Sequence, residues 1–132
     1  MRFQLSETLL AELRACRAHL GVDPVETEHD AFCLDGGLGP AWYLTADGRV
    51  LMDGLSWNGE PLREATEAEA LQTIVVGAKK TGIDALLELL PRRPQSASTC
   101  TQCDGGRYAS GSPESLEVPH FICPRCNGLG WT

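Results

Sequence analysis

The chain of 132 residues is short of several residue types, and each shortage narrows what it can do. No stretch approaches the roughly 20 apolar residues of a membrane-spanning helix, so no membrane span is expected. Lysine and arginine number 11 against 18 aspartates and glutamates, which gives a formal net charge of −7. Nucleic-acid-binding surfaces need the opposite balance, because cationic side chains must neutralise phosphates. A nucleic-acid ligand is therefore disfavoured, and a basic protein partner suits the chain better.

Histidine is scarce as well, and the three histidines form no catalytic pattern. His19 lies near the end of a predicted helix, where a favourable interaction with the helix dipole is ordinary. His29 lies in an acidic stretch, and His120 lies just before a cysteine pair, where it is an alternative metal ligand. Cys16 and Cys33 fall in apolar patterns that are typical of buried cysteines. No nucleophile is paired with a base in the sequence, so we expect no enzyme.

Cysteine, by contrast, is abundant, and four of the six cysteines form two C-x2-C pairs. Residues 104–122 separate the pairs, a spacer within the range of about 15–20 that is typical of tetrahedral zinc sites. Two thiolates from one tight turn can bind a single Zn²⁺, and a second turn closes the shell of four sulfurs. We therefore predict one structural Zn²⁺, held by Cys100, Cys103, Cys123 and Cys126.

Glycines support this prediction at both turns. Gly105 lies two residues after the first cysteine pair, and Gly128 and Gly130 follow the second pair at positions two and four. Glycine adopts positive φ without steric cost, which lets the chain direct backbone N–H groups towards the sulfur atoms. These three glycines are predicted to shape the zinc knuckles.

Two disulfides or a redox-active cysteine pair are the alternatives to zinc. Disulfides require an oxidising compartment, whereas residues 1–8 lack the apolar core of a secretory signal, so a cytoplasmic location is expected. A redox C-x-x-C pair normally occurs once, at the junction of a strand and a helix. Here the pair is duplicated and followed by glycine, which favours zinc.

The cysteine pairs also resemble a known repeat. Cys-x-x-Cys-x-Gly-x-Gly is the repeat of the cysteine-rich region of DnaJ-type co-chaperones, and residues 123–130 match it fully. In the first repeat Arg107 stands where the last glycine belongs. The resemblance implies a zinc module with one site, because this chain has two repeats where DnaJ proteins have four. It does not imply a co-chaperone, because the His-Pro-Asp tripeptide of a J domain is missing.

The rest of the chain predicts an α+β fold, a small antiparallel sheet with helices on one face. An amphipathic pattern capped by Ser6 predicts a helix over residues 7–20. Strand patterns follow at 31–34, 41–45 and 49–52, the last two joined by a hairpin signal at Asp47-Gly48. A capping box at Thr66 predicts a helix interrupted at Gly82, and a shorter helix then ends at Pro91. We assign residues 1–91 to this domain, 92–99 to a linker and 100–132 to the zinc module.

Residues 3–91 are similar in element order to the bacterial SUKH superfamily. The similarity lies in a glycine-rich turn, the aromatic-bearing hairpin AWYLTADGRVLMDG, a later tryptophan and the terminal run LLELLP. Members of that superfamily are commonly small binding proteins, and many are immunity proteins that block secreted toxins. The resemblance implies protein recognition without catalysis.

Three aromatic residues around the predicted hairpin are candidate partner contacts. Trp42 and Tyr43 should face opposite sides of one strand, so we expect one of them in the core and the other accessible. Trp57 lies in a later turn and is the third candidate. Ordinary sheet packing is the alternative for all three.

Together these patterns predict a non-catalytic zinc-binding protein that interacts with another protein and is immunity-like. Two other functions stay open at this point. One is a chaperone-like or thiol-disulfide helper that uses the cysteine pairs on client proteins. The other is a zinc ribbon that binds nucleic acid, which the charge balance disfavours.

Overall fold

The computed structural model describes residues 2–20, 31–35, 41–53, 63–107 and 122–132. The α+β class is confirmed, with helices, a four-stranded antiparallel sheet and a C-terminal cluster of cysteines. The elements are α1 Glu7–Leu20, β1 Ala31–Asp35, β2 Ala41–Thr45, β3 Val50–Asp53, β4 Arg63–Glu64, α2 Glu67–Thr81 and a 3-10 helix Asp84–Leu89. His29, Trp57 and His120 lie outside the described residues.

Helix α1 begins as the sequence predicts. The Ser6 hydroxyl accepts a hydrogen bond from the backbone N–H of Leu9 at 3.1 Å, which satisfies one of the unpaired donors of the first turn. Leu9 and Leu13 are buried in the main hydrophobic core. No helix within the described ranges has the length and apolar character that crossing a membrane requires.

The sheet is a meander in which each strand pairs with the next, in the order β1-β2-β3-β4. The predicted hairpin joins β2 to β3, and its turn glycine, Gly48, has a φ of 93°. The carbonyl of Gly48 accepts a hydrogen bond from the N–H of Phe3 at 2.7 Å, which ties the segment before α1 to the hairpin. Strand β4 was not predicted, because two charged residues carry no strand periodicity.

Trp42 and Tyr43 are both buried, so the expectation that one of them stays accessible is wrong. Trp42 is 9% exposed and lies in the main core, with the guanidinium of Arg63 6.0 Å from its ring centroid. Tyr43 is 5% exposed on the opposite face, beside Leu51 of β3. The alternation of side chains is as predicted, but both faces of the sheet are covered at this point. Neither ring therefore offers the free surface that a partner contact needs.

Helix α2 has the predicted capping box at Thr66. Its hydroxyl accepts from the N–H of Glu69 at 3.2 Å, and the Glu69 carboxylate accepts from the N–H of Thr66 at 3.0 Å. The helix ends at Gly82, which has a φ of 74°. Eight of its residues are buried, on more than one side: Ala70, Leu71, Thr73, Ile74, Val75, Val76, Gly77 and Ala78. The helix thus lies between the sheet and other parts of the chain.

The short helix predicted after Gly82 is a 3-10 helix, and it places Leu86 and Leu90 in the core. The chain then turns at Pro94, whose carbonyl accepts from the N–H of Ala97. Ser98 and Thr132 exchange two backbone hydrogen bonds, at 3.0 and 2.9 Å. The division into domain, linker and module stays a prediction, and the last linker residues pair with the end of the module.

The ionised Glu69 carboxylate makes the stability of the fold depend on pH. Hydrogen bonds from the Arg63 guanidinium, at 2.9 Å, and from Thr66 lower the pKa of the Glu69 carboxyl from 4.5 to about 2. A lowered pKa contributes stability above pH 4.5 that is lost as the pH falls towards 2. Because the pair is partly exposed, we expect a loss of about 1 kcal/mol in the free energy of unfolding. Urea denaturation across this window should show the loss in the wild type and a much smaller one in Glu69→Gln.

Candidate metal centre

The four predicted ligands come together in one cluster. The sulfur atoms of Cys100, Cys103, Cys123 and Cys126 all lie within 4.8 Å of one another. Cys100, Cys123 and Cys126 are buried, and Cys103 is partly exposed. The group is compatible with a bound metal ion, as the spacing of the two C-x2-C pairs predicts.

Two of the distances between the sulfur atoms match those of a tetrahedral metal shell. Sγ of Cys100 lies 3.8 Å from Sγ of Cys123, and Sγ of Cys103 lies 3.6 Å from Sγ of Cys126. A Zn–S bond of about 2.3 Å in tetrahedral geometry places neighbouring sulfurs about 3.8 Å apart. All four cysteines are free thiols, with no disulfide among the described residues.

The two knuckles repeat one backbone conformation, although their sequences differ. After the first pair, Asp104 and Gly105 have φ of 53° and 78°; after the second pair, Asn127 and Gly128 have φ of 53° and 85°. At the fourth position Arg107 has a φ of 71° and Gly130 one of 86°. The three glycines predicted to shape the knuckles are thus all in the left-handed region, which glycine adopts without steric cost.

Backbone hydrogen bonds join the knuckles to each other in a nearly two-fold pattern. The N–H of Cys100 donates to the carbonyl of Gly130, and the N–H of Cys123 donates to the carbonyl of Arg107, both at 3.0 Å. Gly130 also packs on the first knuckle, where a Cβ would lie 3.1 Å from the carbonyl oxygen of Gly105. This arrangement holds the first cysteine of each pair against the end of the other knuckle.

Backbone hydrogen bonds and burial change the pKa values of two of the thiols. Hydrogen bonds from the N–H groups of Cys103 and Gln102 lower the pKa of the Cys100 thiol to about 7. Burial raises the pKa of Cys126 to about 12, although the N–H of Gly130 donates to its sulfur at 3.3 Å. A metal cation must displace the protons of such thiols, so metal affinity falls as the pH is lowered.

Arg107 stands where the repeat has a glycine, and its side chain forms hydrogen bonds to the other knuckle. Its Nη1 donates to the carbonyl of Gly128 at 2.8 Å and to the carbonyl of Leu129 at 3.2 Å. These two acceptors belong to the opposite knuckle. The guanidinium therefore adds a side-chain link between the knuckles. The cost of this link is that a residue other than glycine adopts a positive φ.

Two variants at position 107 separate the contribution of these hydrogen bonds to stability from that of the backbone conformation. Arg107→Ala should lose about 2 kcal/mol in the free energy of unfolding, because the hydrogen bonds disappear while the positive φ remains. Arg107→Gly should lose about 1 kcal/mol less, because glycine relieves the unfavourable φ. Denaturation curves of the two variants measure both values. Equal losses would show that the backbone conformation at this residue carries no strain.

The cysteine module packs on helix α2. Ile122, which is 2% exposed, belongs to the main hydrophobic core. Gly128 lies so close to the helix that a Cβ would come within 2.9 Å of Cγ2 of Val75. The side-chain amide of Gln72 donates to Oδ1 of Asn127 at 3.2 Å. Assembly of the cysteine cluster is therefore linked to packing of the larger core.

Sequence reasoning missed the roles of Arg107, Gln72 and Ile122. For Arg107 a signal existed, because an arginine stands where the repeat has a glycine. For α2 the run of five apolar residues from Ile74 to Ala78 indicates a helix that is covered on more than one side. The partners of Gln72 are visible only in three dimensions.

No protein-family model, curated protein or solved structure matches this chain. The resemblances to the DnaJ-type repeat and to the SUKH superfamily therefore stay predictions.

Proposed function

We propose that this protein binds one Zn²⁺ through Cys100, Cys103, Cys123 and Cys126, and that it is a non-catalytic protein that binds another protein. The observation that carries the proposal is the convergence of four thiols within 4.8 Å on two matching knuckles. A shell of four sulfurs is closed, since it leaves no coordination position for water or substrate. Such a centre stabilises structure and does not catalyse a reaction.

Zinc is the metal proposed because the site is tetrahedral and all its donors are thiolates. Iron also takes four thiolates, and the two metals differ in a simple observable: iron–thiolate centres absorb visible light, whereas Zn²⁺ has a filled d shell and does not. A colourless protein with one tightly held metal per chain supports zinc.

The metal's structural role lies in the contact between the module and α2. A ribbon of about 30 residues cannot bury a sufficient core by itself. Ile122 and Gly128 supply the missing contact by packing into the core and against Val75. The proposed zinc fixes the two knuckles in the conformation that presents these residues to the helix.

Protein binding is supported by the charge of the chain. The net charge of −7 favours a partner with a basic surface and disfavours nucleic acid. Inhibition of a basic toxin, as in the immunity proteins that the N-terminal part resembles, is one function of this kind. The proposal predicts a stoichiometric partner whose affinity falls as the salt concentration rises.

Alkylation of the native protein separates this function from a thiol-disulfide helper. With bound zinc, we expect the four module cysteines to resist iodoacetamide until a chelator or denaturant is added. Cys16 provides an internal comparison, because it is half-buried and lies outside the cluster. Rapid alkylation of Cys100 or Cys103 without metal loss would instead support the helper.

Reconstitution of a complex tests whether the protein binds a protein partner. Nuclease-treated extract is passed over the zinc-loaded protein, and any protein retained in equal stoichiometry is purified and titrated back at two salt concentrations. A 1:1 complex that weakens with salt supports the proposal. Retention seen only from a parallel extract without nuclease treatment would point to nucleic acid and contradict the proposal.

A further inference from the structure

A cleft of about 430 Å³ lies between the 3-10 helix and the metal knuckles. Leu87 and Leu90 line it from the segment of the 3-10 helix, and Arg107 and Trp131 line it from the knuckles. Arg93 and Thr99, from the segment between the two, also line the cleft. The volume is within the usual range for ligand sites, about 300–1,000 Å³. The cleft is outside the cysteine cluster, and the metal proposal does not use it.

Two guanidinium groups line this cleft without a carboxylate partner in the part of the chain that the structure describes. Arg93 donates to Oγ1 of Thr99 at 3.2 Å and to the carbonyl of Ala97 at 3.4 Å, both through Nη2. Arg107 uses Nη1 for its two carbonyl acceptors. Each guanidinium therefore has further N–H donors available. In a chain with a net charge of −7, two such cations in one cleft indicate a site for an anionic group.

The backbone beside the cleft is suited to an extended peptide. Ser98 and Thr132 exchange hydrogen bonds, and Cys100 donates to Gly130, so Thr99 and Trp131 form the pair between these bonds. In such a pair the N–H and C=O groups of each residue point away from the other strand. The backbone N–H and C=O groups of Thr99 have no hydrogen-bond partner within the described ranges, and Thr99 is exposed. A peptide can add to this edge by backbone hydrogen bonds.

We propose that the cleft binds an extended peptide segment that carries one aspartate or glutamate next to an aliphatic side chain. The carboxylate lies between Arg93 and Arg107, the aliphatic side chain contacts Leu87 and Trp131, and the backbone pairs with Thr99. This inference rests on the proposed protein-binding function and names the chemistry of one contact within it.

A single carboxylate is compatible with a partner that is basic elsewhere. The acidic remainder of this protein attracts a basic partner over long range, and the two arginines select one acidic residue at close range. A polyanion such as RNA would also contact the two arginines, but the surrounding negative charge of the protein would repel it. Charge complementarity therefore favours a peptide over nucleic acid at this cleft.

A displayed library of random heptapeptides, panned on the zinc-loaded protein, tests the inference. We expect the enriched peptides to share an acidic residue beside Leu, Ile or Val. A labelled synthetic peptide from this set is then titrated by fluorescence anisotropy against variants of the protein. Arg93→Gln should weaken binding about 10- to 100-fold, as expected for loss of charge-assisted hydrogen bonds. Exchange of the peptide's acidic residue for its amide should weaken binding to a similar extent.

The matched control is Arg92→Gln, which removes the same charge from the neighbouring exposed residue outside the cleft. Its affinity should stay within about threefold of the wild type. If Arg93→Gln alters zinc content or the thermal midpoint, Arg93→Lys replaces it and should show an intermediate loss. Equal effects at positions 92 and 93, enrichment without an acidic residue, or no enrichment would each overturn the cleft proposal. In those cases a partner found by reconstitution would still uphold protein binding, whereas its absence would remove both.

Discussion

Cys123→Ser is expected to abolish binding of the proposed Zn²⁺ and to lower the free energy of unfolding by at least about 3–5 kcal/mol. Cys123 is fully buried, lies 3.8 Å from the sulfur of Cys100 and follows a residue of the main core, Ile122. Serine cannot replace the thiolate, so the shell of four sulfurs cannot close. Loss of the knuckle then exposes the face of α2 around Val75. Urea denaturation with metal analysis measures both effects.

Hydrogen exchange locates the damage in the same variant. Residues 98–107 and 122–132 should lose protection first, and the amides of α2 near Val75 should follow. Cys16→Ser is the matched control, because Cys16 is a half-buried free cysteine in α1, away from the cluster. It should keep one metal per chain and lose less than about 1 kcal/mol. Similar losses in the two variants would show that the cysteine cluster has no special role in stability.

Gly128→Ala is expected to lower the free energy of unfolding by about 2–4 kcal/mol, the second largest effect. The φ of 85° is unfavourable for alanine, at roughly 1 kcal/mol. In addition, the new Cβ would lie 2.9 Å from Cγ2 of Val75 and 3.1 Å from Cγ2 of Ile122, which forces the module away from α2. Denaturation of the zinc-loaded variant gives the value.

Gly82→Ala separates the two causes. Gly82 has a φ of 74°, but nothing lies within 4 Å of a Cβ built there, so only the backbone strain of about 1 kcal/mol is expected. In a double-mutant cycle, Gly128→Ala should cost less in a Val75→Ala background than in the wild type, because Cγ2 of Val75 is then no longer in the way. A Gly128→Ala variant no less stable than Gly82→Ala would contradict the packing of the knuckle on α2.

Local signals in the sequence were sufficient for several elements. The bounds of α1, its cap at Ser6, strand β2 and the capping box of α2 are all confirmed, because neighbouring residues determine them. The cysteine cluster was predictable for the same reason. Ligand spacing within each knuckle is a local property, and a closed site of four sulfurs needs no other residue type.

Features that depend on distant contacts were not predictable. Strand β4 is defined only by its pairing with β3, and its two residues are both charged. The burial of Tyr43 requires knowledge of what covers the second face of the sheet. The contact of the module with α2 joins residues 55 positions apart, as the hydrogen bond from Gln72 to Asn127 shows. No periodicity in the sequence records such a contact.

If zinc fixes the knuckles, metal content also controls the proposed peptide cleft. Arg107 and Trp131 reach the cleft from the first knuckle and from the end of the second. Loss of the metal would displace both, together with the strand edge at Thr99. Peptide binding should therefore fall together with zinc occupancy, whereas a purely stabilising metal remote from the interface would leave the affinity of folded protein unchanged.

Native mass spectrometry of the purified protein tests the central claim most directly, because one spectrum gives the metal, the number of chains and the state of the thiols. The account predicts one zinc ion per chain, with a mass that shows the four ligand cysteines deprotonated and no disulfide. A metal-free mass with two disulfides would contradict it, and so would iron in place of zinc.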